Sequence, residues 1–186
     1  MTDVTVYIAH SIDGYIADRD GSIAWLAPFE GWDFGWDAFY GRIDALVMGA
    51  GTYRDCRAFA EWPYRGKAAI VMTRSGRLDE DGLAVFDDRT ATEIAYDLER
   101  AGLGRIWVVG GAGPIRAFLD AGLVRRLRLF QIPVLLGAGA PLWSPGRRRW
   151  QGRPRAVTVH ANGVVESDLE IVAPSDAADD SPWTRV

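Results

Sequence analysis

Short apolar runs alternate with helical patterns along this chain, and two of the runs lead directly into glycines. Residues 45–48 (ALVM) are followed by Gly49, and residues 105–109 (RIWVV) are followed by Gly110 and Gly111. Buried apolar strands that alternate with helices are typical of a mostly parallel sheet with helices on both faces. The sequence therefore predicts an α/β fold with such a sheet at its centre.

The remaining segments fit the same plan. Further strands are predicted at residues 4–9, 68–72, 83–86 and 127–136. Helices are predicted at about 33–41, from Thr52 onward, at 92–101 and at 114–120. Asn162-Gly163 separates two apolar runs, 156–160 and 164–172, and this pattern predicts a C-terminal antiparallel hairpin. We expect one domain over residues 1–173 and a flexible tail over 174–186, which is rich in Asp, Ser and Ala.

The composition excludes several classes of protein and partner. A net charge of -4 and a pI of about 5.2 argue against a nucleic-acid partner. The single cysteine, Cys56, excludes an intramolecular disulfide, and with only His10 and His160 a multi-histidine metal site is excluded. Carboxylates could still hold a hard cation, but no metal site is predicted. No apolar run has the length of a membrane helix, and the N-terminus lacks the basic segment of a secretory signal. We therefore expect a cytoplasmic protein with no membrane partner.

Both strand–glycine–helix junctions have the properties of a phosphate-binding turn. Glycine lets backbone N–H groups approach a phosphate, and the N-terminus of a helix adds partial positive charge. Two such junctions on one sheet would suit the two ends of a dinucleotide. Neither matches G-x-G-x-x-G in full, so a standard Rossmann site is not predicted. The alternative for each junction is an ordinary tight turn.

Four segments, in this order, resemble the dihydrofolate reductase superfamily, in particular the bacterial branch that includes the reductase domain of riboflavin biosynthesis. The segments are A-x-S-x-D-G-x-I-A at 9–17, D-A-x-V-M-G-x-x-T-Y at 44–53, V-V-G-G-A-G at 108–113, and P-V-L-L-G-x-G at the end of 127–139. The resemblance covers roughly residues 4–172. It implies an oxidoreductase that uses NADPH to transfer a hydride to a small heterocyclic substrate, pterin-like or pyrimidine-like.

The resemblance also implies cofactor-binding residues. Backbone groups of Ala9 and Ile16 would hold the nicotinamide carboxamide. The turn Thr73-Arg74-Ser75 would lie near the adenosine ribose and its 2′-phosphate, where an arginine suits a phosphate. The pyrophosphate and its flanking groups would contact the two glycine junctions, at Gly49, Ala50, Gly51, Thr52, Gly110, Gly111, Ala112 and Gly113.

Two departures from the family pattern are visible. Relatives commonly have Gly-Arg where this chain has Gly49-Ala50, and that arginine helps to bind the 2′-phosphate. Arg54 or Arg74 would have to replace it, so the choice between NADPH and NADH stays open. The riboflavin enzymes carry Asp-Asn-Pro after the threonine of the second segment, whereas Tyr53 and Arg54 follow Thr52 here, so a ribosyl-phosphate substrate is not predicted.

The resemblance places one catalytic carboxylate and a substrate pocket. Counting back 16 residues from Gly49, as in dihydrofolate reductases, leads to Asp33. A carboxylate among aromatic residues there would have a raised pKa and could pass on a proton. The alternative is that Asp33 only caps the helix that follows. Trp32, Trp36 and Gln131 are the candidate substrate contacts.

Two functions from different classes are compatible with these residues. The first is the NADPH-dependent reductase. The second is a non-catalytic, ligand-binding dimer that retains the reductase fold, which the Ala50 departure would favour. A homodimer is expected in either case, from the family resemblance and from the apolar residues of the predicted strand 127–136.

Overall fold

A computed structural model describes residues 2–74, 81–146 and 149–172 of the chain. The strands are β1 Asp3–Ser11, β2 Tyr15–Ala17, β3 Ala45–Gly49, β4 Ala68–Met72, β5 Val85–Asp87, β6 Arg105–Gly110, β7 Val124–Ile132, β8 Ala140–Pro141, β9 Gln151–Val159 and β10 Val165–Val172. The helices are a 3-10 helix Ala24–Phe29 and the α-helices α1 Trp36–Tyr40, α2 Ala50–Arg57, α3 Ala91–Arg100 and α4 Ala112–Asp120.

The central sheet has eight strands in the order β5-β4-β3-β6-β1-β7-β10-β9. Every pair from β5 to β7 is parallel, and the pairs β7–β10 and β10–β9 are antiparallel. This arrangement confirms the predicted α/β fold, including the C-terminal hairpin. Pro154 lies on the edge strand β9, opposite a register shift between Asp168 and Leu169 of β10, and edge strands and bulges are where a sheet accepts proline. A separate two-stranded sheet pairs β2 with β8.

Side chains from both faces of the sheet are buried. On one face, Ile94 of α3 and Phe118 of α4 pack with Val6 and Val108 of the central strands. On the other face, an aromatic cluster covers Leu46, Met48 and Trp107; it includes Tyr7, Phe39, Tyr40, Tyr53, Trp62, Tyr64 and Phe86. Alternate residues of the same strands therefore serve two different cores, as expected for strands buried on both sides.

Several predicted boundaries were wrong by a few residues, each for a local reason. Helix α1 begins at Trp36 and not near Asp33, because Gly35 is left-handed (φ 71°) and is followed directly by the helix. Helices α2 and α4 begin immediately after their glycines, at Ala50 and Ala112, before the predicted starts.

Strand β7 also differs from its prediction. It ends at Ile132 and not at 136, because Pro133 cannot continue the ladder.

Within the described part of the chain, no helix is both long and apolar enough to cross a membrane. Strand β10 ends at Val172, and the predicted tail 174–186 lies outside the described residues.

Candidate functional site

A cavity of about 890 Å³ opens beyond the carboxyl ends of the parallel strands. Ala9 of β1, Gly110 of β6 and Phe130 of β7 all line it, and Thr52 of α2 completes this side. Ligands of open α/β sheets bind at this edge because the loops that follow the strands converge there. The volume lies within the range of small-molecule sites.

The two glycine junctions face each other across this edge. A Cβ atom placed on Gly110 would lie 3.7 Å from the hydroxyl oxygen of Thr52, and one placed on Gly49 would lie 3.4 Å from Cγ of Pro114. Gly110 has a φ of 147°, which only glycine adopts readily, and a Cβ there would also lie 3.4 Å from Ile8 Cδ1. The backbone conformation therefore requires glycine at this position, while the space around it would admit a methyl group only in van der Waals contact with Ile8 and Thr52.

Neither helix that begins at these junctions has a side-chain cap. The N-cap residues are Gly49 for α2 and Gly111 for α4, and a glycine has no side chain that could accept a hydrogen bond from the first turn of its helix. The first N–H groups of a helix have no partner within the helix and carry partial positive charge. Residues of both first turns line the cavity, so both helix ends suit the phosphates of a dinucleotide.

The segment that contains Ile16 is fixed by a second close approach. A Cβ on Gly139 would lie only 2.0 Å from the carbonyl oxygen of Ala17, so the β2–β8 contact requires glycine there. The carboxylate of Asp13 accepts a hydrogen bond of 2.7 Å from the Gly137 N–H, which ties the loop after β1 to the loop after β7. Hydrogen bonds from the Ser11 hydroxyl and from backbone N–H groups, including that of Gly137, hold the pKa of the Asp13 carboxyl group below its usual value. The Ile16 side chain lies close to the second glycine junction: a Cβ placed on Gly111 would be 4.0 Å from Ile16 Cδ1.

Aromatic rings form another wall of the cavity. The Tyr7 ring packs at 4.5 Å from that of Phe130 and at 5.8 Å from that of Trp36, and the Trp107 ring lies 5.3 Å from Trp36 and 5.4 Å from Tyr64. All five residues line the cavity. Such a wall offers ring faces and edges to a flat aromatic ligand.

The carbonyl of Phe34 joins this wall to the sheet. It accepts hydrogen bonds from the Tyr7 hydroxyl (3.3 Å) and from an Arg128 Nη (3.1 Å). Burial raises the pKa of Tyr7 to about 12, so its hydroxyl stays a donor at neutral pH. Arg128 also pairs with Glu166, whose second carboxylate oxygen lies 3.1 Å from Nε2 of His160.

About half of the predicted site residues come together in the cavity. Those that line it are Ala9, Ile16, Trp36, Gly51, Thr52, Gly110, Gly111 and Ala112. Those outside its lining are Trp32, Asp33, Gly49, Ala50, Thr73, Arg74, Gly113 and Gln131. Gly49 still forms the turn that starts α2, whereas Arg74 is exposed and Ser75 lies outside the described residues.

Asp33, the predicted acid, is exposed and makes a local contact. Its Oδ1 accepts a hydrogen bond of 2.7 Å from the Gly35 N–H, which stabilises the turn before α1. This geometry is closer to the capping alternative than to a carboxylate that faces a ligand. The residue that actually caps α1 is Gly35, one position before the helix.

Three carboxylates that sequence reasoning did not select line the cavity: Asp20, Glu30 and Asp55. Burial raises the pKa of Asp55, and the nearby charge of Arg54 partly opposes this. Asp55 lies three residues after Thr52 on α2, a spacing that puts two helical residues on one face. The three-residue spacing from Thr52 was the signal in the sequence that could have identified Asp55. Asp20 and Glu30 come from the irregular segment between β2 and α1, which has no periodicity to place them.

The comparisons of this chain with known proteins agree on one family. The model of the RibD C-terminal domain matches residues 2–165. The uncharacterised protein YwjB of Bacillus subtilis is 35% identical over 140 residues, which cover 74% of this chain and 80% of YwjB. A candidate riboflavin biosynthesis protein from Shewanella sp. PV-4 superposes with a TM-score of 0.85 at 26% identity, covering 92% of this chain and 100% of that one.

A more distant structure shares the fold alone. The diaminohydroxyphosphoribosylaminopyrimidine deaminase/5-amino-6-(5-phosphoribosylamino)uracil reductase of Thermotoga maritima has a TM-score of 0.70 at 15% identity, over 91% of this chain and 56% of that one. The sheet order, the paired glycine junctions and these matches agree with the resemblance seen in the sequence. The chain belongs to the RibD C-terminal domain family.

Proposed function

We propose that this chain is an NADPH-dependent reductase of a small, flat heterocycle. One observation carries the proposal: two uncapped helix N-termini open into the same cavity as an aromatic wall. The helix ends suit the phosphates of a dinucleotide, and the aromatic wall suits a planar ring. A cavity that holds both can bring a nicotinamide and an acceptor ring into contact.

The chain's own contribution would be binding and orientation. The first turn of α2, which includes Thr52, and the first turn of α4 would hold the pyrophosphate together with Gly110. Backbone groups of Ala9 and Ile16 would hold the nicotinamide carboxamide, as the family resemblance implies. When bound, NADPH supplies the hydride, and the protein aligns the two rings and keeps water out.

Arg54 is our candidate for the 2′-phosphate. It lies in α2 and lines the cavity, whereas Arg74 does not, and Ala50 replaces the arginine that relatives commonly carry. A guanidinium can bind a phosphate through two parallel hydrogen bonds, so Arg54 would favour NADPH over NADH.

Asp55 is our candidate for protonating the reduced substrate. It lines the cavity, and burial raises the pKa of its carboxyl group, which favours the protonated form that an acid needs. Asp33 and Asp55 are both exposed, but Asp33, the candidate from the sequence, lies outside the cavity lining and its carboxylate accepts a hydrogen bond from the Gly35 N–H. We therefore rank Asp55 above Asp33 for this role.

Quenching of tryptophan fluorescence tests the cofactor. Trp36 and Trp107 line the cavity, so bound nicotinamide should quench the emission of the protein. We expect micromolar binding of NADPH, weaker binding of NADH, and loss of most of this preference in Arg54→Ala but not in Arg74→Ala. Equal affinity for NADPH in Arg54→Ala and the unchanged protein would reject the role of Arg54. No binding of either nucleotide at millimolar concentration would reject the reductase.

The non-catalytic ligand-binding protein is the second candidate. Ala50 and the exposed position of Asp33 favour it, because both depart from the family's catalytic pattern. The same titration separates the two functions when it is followed by a screen of dihydropterins and aminouracils for NADPH oxidation. A protein that binds the heterocycles without binding NADPH would be a binding protein.

A further inference from the structure

The cavity carries more carboxylates than cations. Asp20, Glu30 and Asp55 line it, and Arg54 is the one basic side chain among the lining residues that the structure describes. The guanidinium of Arg128, 5.0 Å from the Tyr7 ring, is paired with Glu166 and so does not offset this charge. At neutral pH, ionised carboxylates in a partly enclosed cavity attract cations and repel anions.

Two of these carboxylates belong to a wall that is held in place. Glu30 follows the 3-10 helix directly, and its N–H donates to the carbonyl of Ala27. Leu26 and Phe29 of that helix pack against the buried core formed by Phe130 and its neighbours. Asp20 accepts a hydrogen bond of 2.9 Å from the Ser22 N–H, which fixes the start of the same wall. Asp20 and Glu30 therefore lie on backbone segments that are held in place, and their exposed side chains contribute negative charge to the lining of the cavity.

If the proposed function is right, the groups of the cavity that suit a phosphate already bind the phosphates of the cofactor. The N-termini of α2 and α4 would bind the cofactor's pyrophosphate, and Arg54 would bind its 2′-phosphate. A further phosphate on the substrate would then lie in a cavity that already holds these phosphates and the carboxylates of Asp20 and Glu30; Asp55, our candidate proton donor, is not counted among these charges. An uncharged or cationic ring would meet aromatic faces and carboxylate acceptors instead.

We propose that the substrate of this cavity is a flat heterocycle, neutral or cationic, that carries no phosphate group, and that Glu30 and Asp20 select against phosphorylated compounds. The inference rests on the proposed function and narrows it. It separates this chain from the Thermotoga maritima structure with the same fold, whose name describes a reductase of a phosphoribosylaminouracil.

A matched pair of ligands tests the selection. The first is 5-amino-6-(5-phosphoribosylamino)uracil, and the second is the same compound without its phosphate. We would measure binding of each to the full chain by calorimetry, with and without saturating NADPH. We expect the compound without phosphate to bind at least about tenfold more tightly, because like charges no longer oppose its entry.

Variants that remove the negative charges test whether Asp20 and Glu30 cause this preference. In the double variant Asp20→Asn, Glu30→Gln, the preference should fall to about twofold or less, since the shapes of both side chains are kept while their charges are lost. Glu61→Gln is the control, because Glu61 is highly exposed, lies outside the cavity lining and removes one charge in the same way. The control should keep the full preference.

The outcomes separate this inference from the proposed function. Tighter binding of the phosphorylated compound, an unchanged preference in the double variant, or no binding of either compound at millimolar concentration would overturn the inference. If NADPH does not bind but the preference and its loss in the double variant are seen, the reductase fails and the charge selection stands. If NADPH binds and the phosphorylated compound is preferred, the reductase stands and the charge selection fails.

Discussion

The guanidinium of Arg128 donates a hydrogen bond to the backbone carbonyl of Phe34, 94 residues earlier in the chain. Arg128 is on β7, and Phe34 is in the turn before α1 and lines the cavity. The same guanidinium lies 5.0 Å from the centre of the Tyr7 ring, and Tyr7 donates to the same carbonyl. The position of one cavity wall therefore depends on a side chain that does not itself line the cavity.

Substitution of Arg128 should both destabilise the protein and loosen this wall. Arg128→Ala leaves Glu166, which is largely buried, without its main partner, and we expect a loss of about 1–3 kcal/mol in the free energy of unfolding. Arg128→Lys can still pair with Glu166 but has no planar fork to reach Phe34 as well. We expect this variant to keep most of the stability while KM for the heterocycle rises more than kcat falls.

Urea unfolding and steady-state kinetics measure the two effects. Arg105→Ala is a suitable control, because Arg105 forms an ion pair with Asp44 at the opposite, amino-terminal end of the parallel strands and is more than half exposed. It should leave KM unchanged. A lysine variant with an unaltered KM would show that Arg128 does not position the wall.

Gly110→Ala should disrupt the junction between β6 and α4. The φ of 147° is strained for alanine, so we expect a loss of about 1–3 kcal/mol in stability. Gly113→Ala is the matched comparison, because its added methyl group meets nothing within 4 Å and it lies inside α4. Alanine there should raise stability by about 0.5–1 kcal/mol. Thermal or urea unfolding of both variants checks the contrast; equal effects would contradict it.

The fold was predictable from the sequence to a greater extent than the site. Apolar strands such as β3 and β6, followed by glycines, identify the parallel sheet and the edge at which the cavity opens, because burial and tight turns are local properties of the sequence. The walls of the cavity depend on contacts between distant residues, such as Arg128 with Phe34. The positions of Glu30 and Asp20 follow from packing of an irregular segment, which no periodic pattern describes.

The ion pair between Asp168 and Arg126 should contribute to stability above acidic pH. Asp168 is buried, and hydrogen bonds from Arg126 hold the pKa of its carboxyl group below the usual value of 3.8. A carboxyl group whose pKa is lowered by folding adds stability above its unfolded pKa, and this is lost as the pH falls through the folded pKa. Asp168→Asn should therefore be less stable than the unchanged protein at pH 7, and the difference should shrink toward pH 3.

Urea unfolding at several pH values measures this dependence. Glu61→Gln, at a highly exposed position, is the control for removal of one negative charge. A difference between Asp168→Asn and the unchanged protein that stays constant from pH 7 to pH 3 would be inconsistent with the ion pair as its source.

The homodimer stays a prediction. The apolar residues of strand 127–136 support it less than the sequence suggested, because β7 lies inside the sheet, between β1 and β10. Leu127 and Leu129 nevertheless line a groove of about 320 Å³ on the sheet, together with Leu169 and Ile171 of β10. Light scattering at micromolar concentration should give about twice the chain mass of 20.5 kDa. A mass equal to that of one chain would reject the dimer.

Asp55 and Asp33 make opposite predictions for catalysis. If Asp55 is the acid, Asp55→Asn should lower kcat by about 10²–10⁴-fold and leave NADPH binding unchanged, because the amide fills the same space but cannot supply a proton. In the unchanged protein, kcat should fall as the pH rises through the pKa of Asp55, which burial raises above 3.8. Asp33→Ala removes a hydrogen bond to Gly35 and should cost a little stability with kcat nearly unchanged. If Asp33→Ala abolishes turnover while Asp55→Asn does not, the original assignment of Asp33 from the sequence is correct, and the turn before α1 must rearrange when substrate binds.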